Sequence, residues 1–167
     1  LALMAVVFVA QSFLGLAVCA AFVMAFFALA RIPFGGALRY TQCTPRTTYG
    51  SRQLLILDTV GILSSVYSYA TWSYIGGGFG VGIHNTLEAA TFGLPVAFGP
   101  NYQKFKEARD LVTLGAARSI NDYDELRAWF VPLRDNEEFL QKTSRIAKDY
   151  TTRHQGATGI IVRTIFN

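Results

Sequence analysis

Hydrophobic and polar positions divide this chain near residue 36. From Leu1 to Ala30 no residue is charged and only Gln11 and Ser12 are strongly polar. That run exceeds the roughly 20 apolar residues a spanning helix needs, so it predicts an apolar N-terminal helix, read as transmembrane. Pro33, Gly35 and Gly36 interrupt it, and the polar, turn-rich stretch from Thr44 to Ser51 carries a linker to about Arg52. Beyond the linker, short apolar runs alternate with helical spacing. Leu54 to Leu57 reads as a strand ending at Asp58, Ile62 to Tyr69 as a short helix, and Trp72 to Ile75 as a strand. Ile83 to Phe92 reads as a helix, Pro95 to Phe98 as a strand, Gln103 to Leu114 as a helix and Ala117 to Ile120 as a strand. Asn121 or Asp122 can cap a helix from Tyr123 to about Val131, and Asn136 one from Glu137 to about Thr152. A last helix is expected from near Gly156.

Strands that alternate with helices predict an α/β fold, a parallel sheet with helices on both faces. Only three or four strands are legible, so the Rossmann-like sheet is expected to be incomplete. Two regions follow: an apolar segment over residues 1–36 and a partial α/β domain over 37–167.

Composition sharpens the division. Apolar residues make up 51% of the 167-residue chain and mean hydropathy is +0.30, above an ordinary globular domain because of the first segment. Arg31, Arg39, Arg46 and Arg52 follow it, and positive charge on that side places the remainder in the cytoplasm. A signal peptide would have a shorter apolar core behind a basic residue. The chain opens on Leu1, so a further start is expected upstream. The net charge of +4, weighted toward those arginines, favours apposition to an anionic membrane and predicts no nucleic-acid partner. Cys19 and Cys43 lack metal spacing, and His84 and His154 have no second ligand nearby in sequence, so neither a disulfide framework nor a zinc site is expected.

Candidate chemistry concentrates in the run from Tyr74 to Ala90, which reads as strand, glycine hinge and helix start. Glycines let a backbone approach a ligand closely, and the first N–H groups of a helix attract an anion. The segment fits neither common phosphate loop: Ile83 stands where G-x-G-x-x-G needs its third glycine, and there is no Gly-Lys-Ser/Thr. Tight strand-to-helix packing alone is the plain alternative. On a helix starting at Ile83, His84 and Glu88 would share a face beside Asn85. Glu88 can accept from ribose hydroxyls while His84 and Asn85 donate to phosphate or sugar oxygens, or Glu88 simply favours the helix dipole. Asp58 and the Gly99-Pro100-Asn101-Tyr102 stretch close predicted strands, where open α/β sheets bind ligands, although Asp58 also suits a helix cap. Lys104, Lys106 and Arg109 share the next helix, and Lys104 is placed to reach a phosphate.

Taken in order, Asp58-Thr59-Val60-Gly61, Gly76-Gly77-Gly78-Phe79, Gly82-Ile83-His84-Asn85-Thr86-Leu87-Glu88, Gly93-Leu94-Pro95-Val96 and Gly99-Pro100-Asn101-Tyr102 resemble the 3-deoxy-D-manno-octulosonic acid (Kdo) transferases, in their Bacteroides-like branch. The resemblance runs from about Leu38 to the end, with Gly156-Ala157-Thr158 like the start of the family's last helix. It implies the C-terminal half of a GT-B glycosyltransferase, in which two Rossmann-like domains face a cleft. It further implies an inverting transfer of Kdo from CMP-Kdo to a lipid A precursor in lipopolysaccharide biosynthesis, at the cytoplasmic face of the inner membrane, with no cofactor. By resemblance the donor site comprises Gly61, Gly77, Gly78, Phe79, Gly82, His84, Asn85, Glu88 and Asn101, with the loop and helix start on the CMP phosphate and Glu88 on the ribose. No catalytic residue is expected in this chain, because the family's general base lies in the N-terminal domain, and so no transfer is expected from it alone. Ile62 replaces a glutamate that the better-known branch carries after Gly61. Residues 1–36 have no counterpart at that place in the family and are either a rearranged anchor or an out-of-frame stretch. The alternatives are a GT-B enzyme with another nucleotide sugar and a membrane-anchored nucleotide-binding module without catalysis.

Overall fold

The computed structural model describes residues 4–7, 37–39, 54–56, 61–154 and 164–165. Its strands are β1 (Met4–Val7), β2 (Ala37–Arg39), β3 (Leu54–Ile56), β4 (Trp72–Ile75), β5 (Val96–Phe98) and β6 (Ala117–Ser119). Its helices are α1 (Leu63–Tyr67), α2 (Leu87–Thr91), α3 (Lys106–Leu114), α4 (Tyr123–Asp135) and α5 (Glu137–Arg153). The main sheet has the order β1-β4-β5-β6 and is parallel throughout, and β2 and β3 form a separate parallel pair.

Central parallel strands are buried on both faces, and here all four residues of β4 and all three of β5 are buried. Period-two alternation sorts them. Ile75, Val96 and Phe98 enter a cluster with Tyr67, Ala89, Ala90, Leu111 and Tyr150 on one face. Trp72, Tyr74 and Ala97 enter a second with Ile120, Leu126, Phe130 and Leu133 on the other, where the Trp72 and Phe130 rings meet edge to face at 5.2 Å. The covering of both faces is therefore as the alternation predicts. Helix α5 serves both clusters, with Leu140 in the second and Ala147 and Tyr150 in the first.

Three differences from the sequence reading have physical causes. Met4–Val7, predicted as part of the apolar helix, form strand β1 in register with Trp72–Ile75. A run of apolar residues suits a buried strand as well as a helix, and β4 needs a neighbour on that side. Helix α4 runs through Pro132 to Asp135, beyond the expected end at Val131, because Leu133 is buried with Phe130 and holds the last turn against the sheet. Helix α2 starts at Leu87, four residues later than Ile83, for reasons that belong to the site. Asp58, residues 8–36 and the stretch around Gly156 lie outside the described residues. Among the described residues no helix is long and apolar enough to cross a membrane.

Candidate functional site

Strands β4 and β5 are adjacent and parallel, so the segments leaving their carboxyl ends emerge side by side. The first is Gly76–Gly82 and the second begins at Gly99. They approach so closely that a Cβ on Gly78 would lie 2.6 Å from the Gly99 nitrogen, and one on Gly99 would lie 2.6 Å from the Gly78 carbonyl carbon. Only two glycines can cross there. Gly77 is turned to a φ of 92°, and a Cβ on it would meet the Gly82 carbonyl oxygen at 2.3 Å.

Four of the loop's carbonyls, those of Gly76, Gly77, Gly78 and Gly80, are engaged from within the protein. Gly76 O accepts from His84 N at 3.2 Å, Gly77 O from Gly80 N at 2.9 Å and Gly82 N at 3.4 Å, and Gly78 O from Asn101 N at 2.9 Å. Gly80 O accepts from Asn101 Nδ2 at 2.7 Å. Oxygens that would repel an anion are thus occupied. Phe105 walls the far side, its ring 3.1 Å from where a Gly82 Cβ would sit.

The same bonding delays α2. With His84 N committed to Gly76, Gly82–Asn85 stays outside the helix, and buried Ile83 anchors the turn. His84 and Glu88 are therefore not on one helical face, as the predicted start at Ile83 required. His84 precedes the helix, exposed, with its ring Cδ2 3.4 Å from a Cβ built on Gly77. Asn85 starts the helix: its Oδ1 accepts from Leu87 N at 3.0 Å, and its Nδ2 donates to Glu88 Oε1 at 3.1 Å. Glu88 is exposed in the first turn with one oxygen so held. Burial pushes the Tyr67 hydroxyl of α1 well above its ordinary range, and the Glu88 carboxylate adds to that shift, so α1 flanks the same carboxylate.

Of the predicted site residues, Gly77, Gly78, Gly82 and Asn101 are brought together with Phe79, which is 41% exposed and whose ring lies against Gly99. Asn85 and Glu88 form a linked pair, and His84 lies over Gly77. Gly61 is exposed ahead of α1 with a φ of 93° and open space around it. Lys106 is paired with Asp110 and Arg109 donates to Gln103 O, while Lys104 is exposed. Among the described residues no group of three or more His, Cys, Asp or Glu could hold a metal ion.

Sequence reasoning missed two contributors. Phe105 reads as an ordinary core residue, and only the tertiary contact makes it a wall. Thr86, at the position before α2, resembles a cap, yet its hydroxyl is buried without a partner among the described residues because Asn85 has taken that role.

Comparison with known proteins places this geometry. No protein-family model matches the chain. Its fold is similar to the C-terminal CMP-Kdo binding domain of WaaA from Acinetobacter baumannii, with a TM-score of 0.52 and 19% identity over 75% of this chain and 66% of that one. It is also similar to the glycotransferase of kitacinnamycin, with a TM-score of 0.55 and 18% identity over 97% of this chain and 42% of that one. The fold is accordingly the Rossmann-like α/β fold that GT-B glycosyltransferases have in their C-terminal domain.

In sequence the chain is 33% identical over 82 residues to a 3-deoxy-D-manno-octulosonic acid transferase of Chlamydophila psittaci, covering 47% of this chain and 19% of the relative. It is 37% identical over 97 residues to the transferase of that name from Rickettsia prowazekii, covering 57% and 21%, and 32% identical over 118 residues to that of Rickettsia felis, covering 60% and 25%. The matched segment is thus similar in sequence to 3-deoxy-D-manno-octulosonic acid transferases and in fold to the C-terminal domain of WaaA. It spans about a fifth to a quarter of the length of these relatives.

Proposed function

We propose that this chain supplies the donor-binding half of an inverting Kdo transferase, receiving CMP-Kdo on the Gly77–Gly82 loop for transfer to a lipid A precursor. The observation that carries the reading is the loop itself: four of its carbonyls engaged inward, no side chain at Gly77 or Gly78, and the Asn85–Glu88 pair at its exit. Such a surface admits the single phosphate of a CMP leaving group without a metal clamp. Glu88, with one oxygen oriented by Asn85, presents the other to ribose hydroxyls.

No residue of this chain is assigned the role of general base, which the reading places in the family's other domain. Transfer of Kdo to a lipid acceptor by the 167-residue polypeptide alone would overturn that assignment. The acceptor and the cytoplasmic face of the inner membrane as site of action belong to the same reading and rest on the sequence resemblance alone. The direct test is calorimetric titration of the chain with CMP, UDP and GDP. Saturable CMP binding at least tenfold tighter than either diphosphate is expected, and a preference for UDP or GDP would assign the site to a different nucleotide sugar.

A further inference from the structure

We infer that Asn101 is a positioning residue, a latch that holds the glycine loop in its binding conformation before any ligand arrives. The inference rests on the donor reading above but gives Asn101 a different role from the direct donor contact expected by resemblance.

Its main-chain N–H reaches Gly78 O at 2.9 Å and its side-chain Nδ2 reaches Gly80 O at 2.7 Å. One residue from the β5 loop thus pins two carbonyls of the β4 loop, 21 residues away in sequence in the case of Gly80. Gly80 N is itself bonded to Gly77 O at 2.9 Å, so fixing Gly80 by its carbonyl fixes the inner turn as well.

Side-chain burial at the tip is limited to the Phe79 ring, which lies against Gly99. Val81 is wholly exposed and Phe79 is 41% exposed, on either side of Gly80. The segment Gly76–Gly82 contains five glycines, whose freedom when released is larger than that of any other residue type. A loop free to sample those states would have to be ordered by the ligand, lowering apparent affinity by the fraction of competent conformer. The hydrogen bond from Asn101 Nδ2 removes that cost in advance.

The test uses the 167-residue chain and two variants. Asn101→Asp keeps size and acceptor but loses the donor, while Asn101→Gln keeps the amide on a longer arm. With Asn101→Asp, amide exchange at Gly80 and Gly82 in the ligand-free chain is expected to quicken roughly tenfold, and the Kd for CMP to rise by about the same factor. Exchange in α5 should be unchanged, and Asn101→Gln should recover most of both losses. Three outcomes would overturn the latch. Weakened CMP binding with unchanged ligand-free exchange would make Asn101 a direct ligand contact. Accelerated exchange extending through α5 would make it a general element of stability, and no change in either measurement would leave it without a role. If loop exchange quickens as expected while the parent chain fails to bind CMP, the latch stands and the donor reading falls.

Discussion

At the contact of Gly78 with Gly99, a single methyl group decides whether two strand ends can lie side by side. A Cβ on Gly99 would meet backbone at 2.6 Å, and main chain cannot swing aside as a flexible side-chain tip can. Gly99→Ala should therefore lower stability by about 1–3 kcal/mol and the melting temperature by several degrees. An unchanged thermal transition would show that the two segments separate easily. Glu88 is exposed, so Glu88→Ala should leave the fold intact, losing the surface hydrogen bond from Asn85 Nδ2 and a helix-dipole contribution of about 0.3–1 kcal/mol. Its expected effect is on binding, with CMP affinity down about tenfold by titration, and unchanged affinity would return Glu88 to a purely structural role. The glycines and the acid were legible in sequence because their residue types state their chemistry. The pairing of Asn85 with Glu88, and of Asn101 with Gly80, was not, since each depends on which way an amide turns.

At the scale of elements, local signals placed most boundaries. Asp122 and Asn136 both cap as expected, their side chains accepting from Glu125 N and Phe139 N at 2.9 and 3.0 Å. Glu125 also accepts from the main-chain and side-chain nitrogens of Asn121 at 2.8 and 2.9 Å, tying the approach to α4. Asp122→Ala and Asn136→Ala should each cost about 1 kcal/mol in urea denaturation, near the usual value of a lost cap. Losses below a few tenths would mean that packing of α4 and α5, not capping, sets their starts. Where elements departed from expectation, contacts outside the helix itself were responsible. Helix α2 gave up its first turn to the Gly76–His84 hydrogen bond, and α4 gained one through the burial of Leu133.

For the whole molecule, α5 joins the two faces of the sheet and is fastened to α3 by one polar contact. Tyr150 donates its hydroxyl to Asp110 at 2.8 Å, and Lys106 bridges to the same carboxylate. The hydrogen bonds from Lys106 and then Tyr150 hold the Asp110 carboxyl below its ordinary range, while burial, followed by the bond to Asp110, pushes the Tyr150 hydroxyl up to about 12. A raised tyrosine pKa favours the protonated folded state, so this contribution is full below pH 10 and is lost as pH rises toward about 12. The depressed Asp110 acts oppositely, contributing above the ordinary carboxyl value of 3.8 and less as pH falls through its lowered pKa. Tyr150→Phe should accordingly flatten the decline in stability between pH 10 and 12, measured by denaturant titration at several pH values. An unchanged slope would show that the contact does not tie α5 to α3 in solution.

Short apolar runs such as Trp72–Ile75 and Pro95–Phe98 alternating with helical spacing, helix caps, and glycines at the strand end were enough to predict a parallel sheet covered on both faces and a glycine-rich candidate ligand loop. These are local properties, set by side-chain type and by the geometry of neighbouring residues. Tertiary structure decided what depends on distant partners. It determined that Met4–Val7 pair as a strand with β4, that Gly78 and Gly99 touch, that Asn101 bonds Gly80, and that α2 starts at Leu87. An apolar run suits either a helix or a buried strand, and an amide suits either a ligand or a carbonyl. Only the position of the neighbouring backbone selects between them.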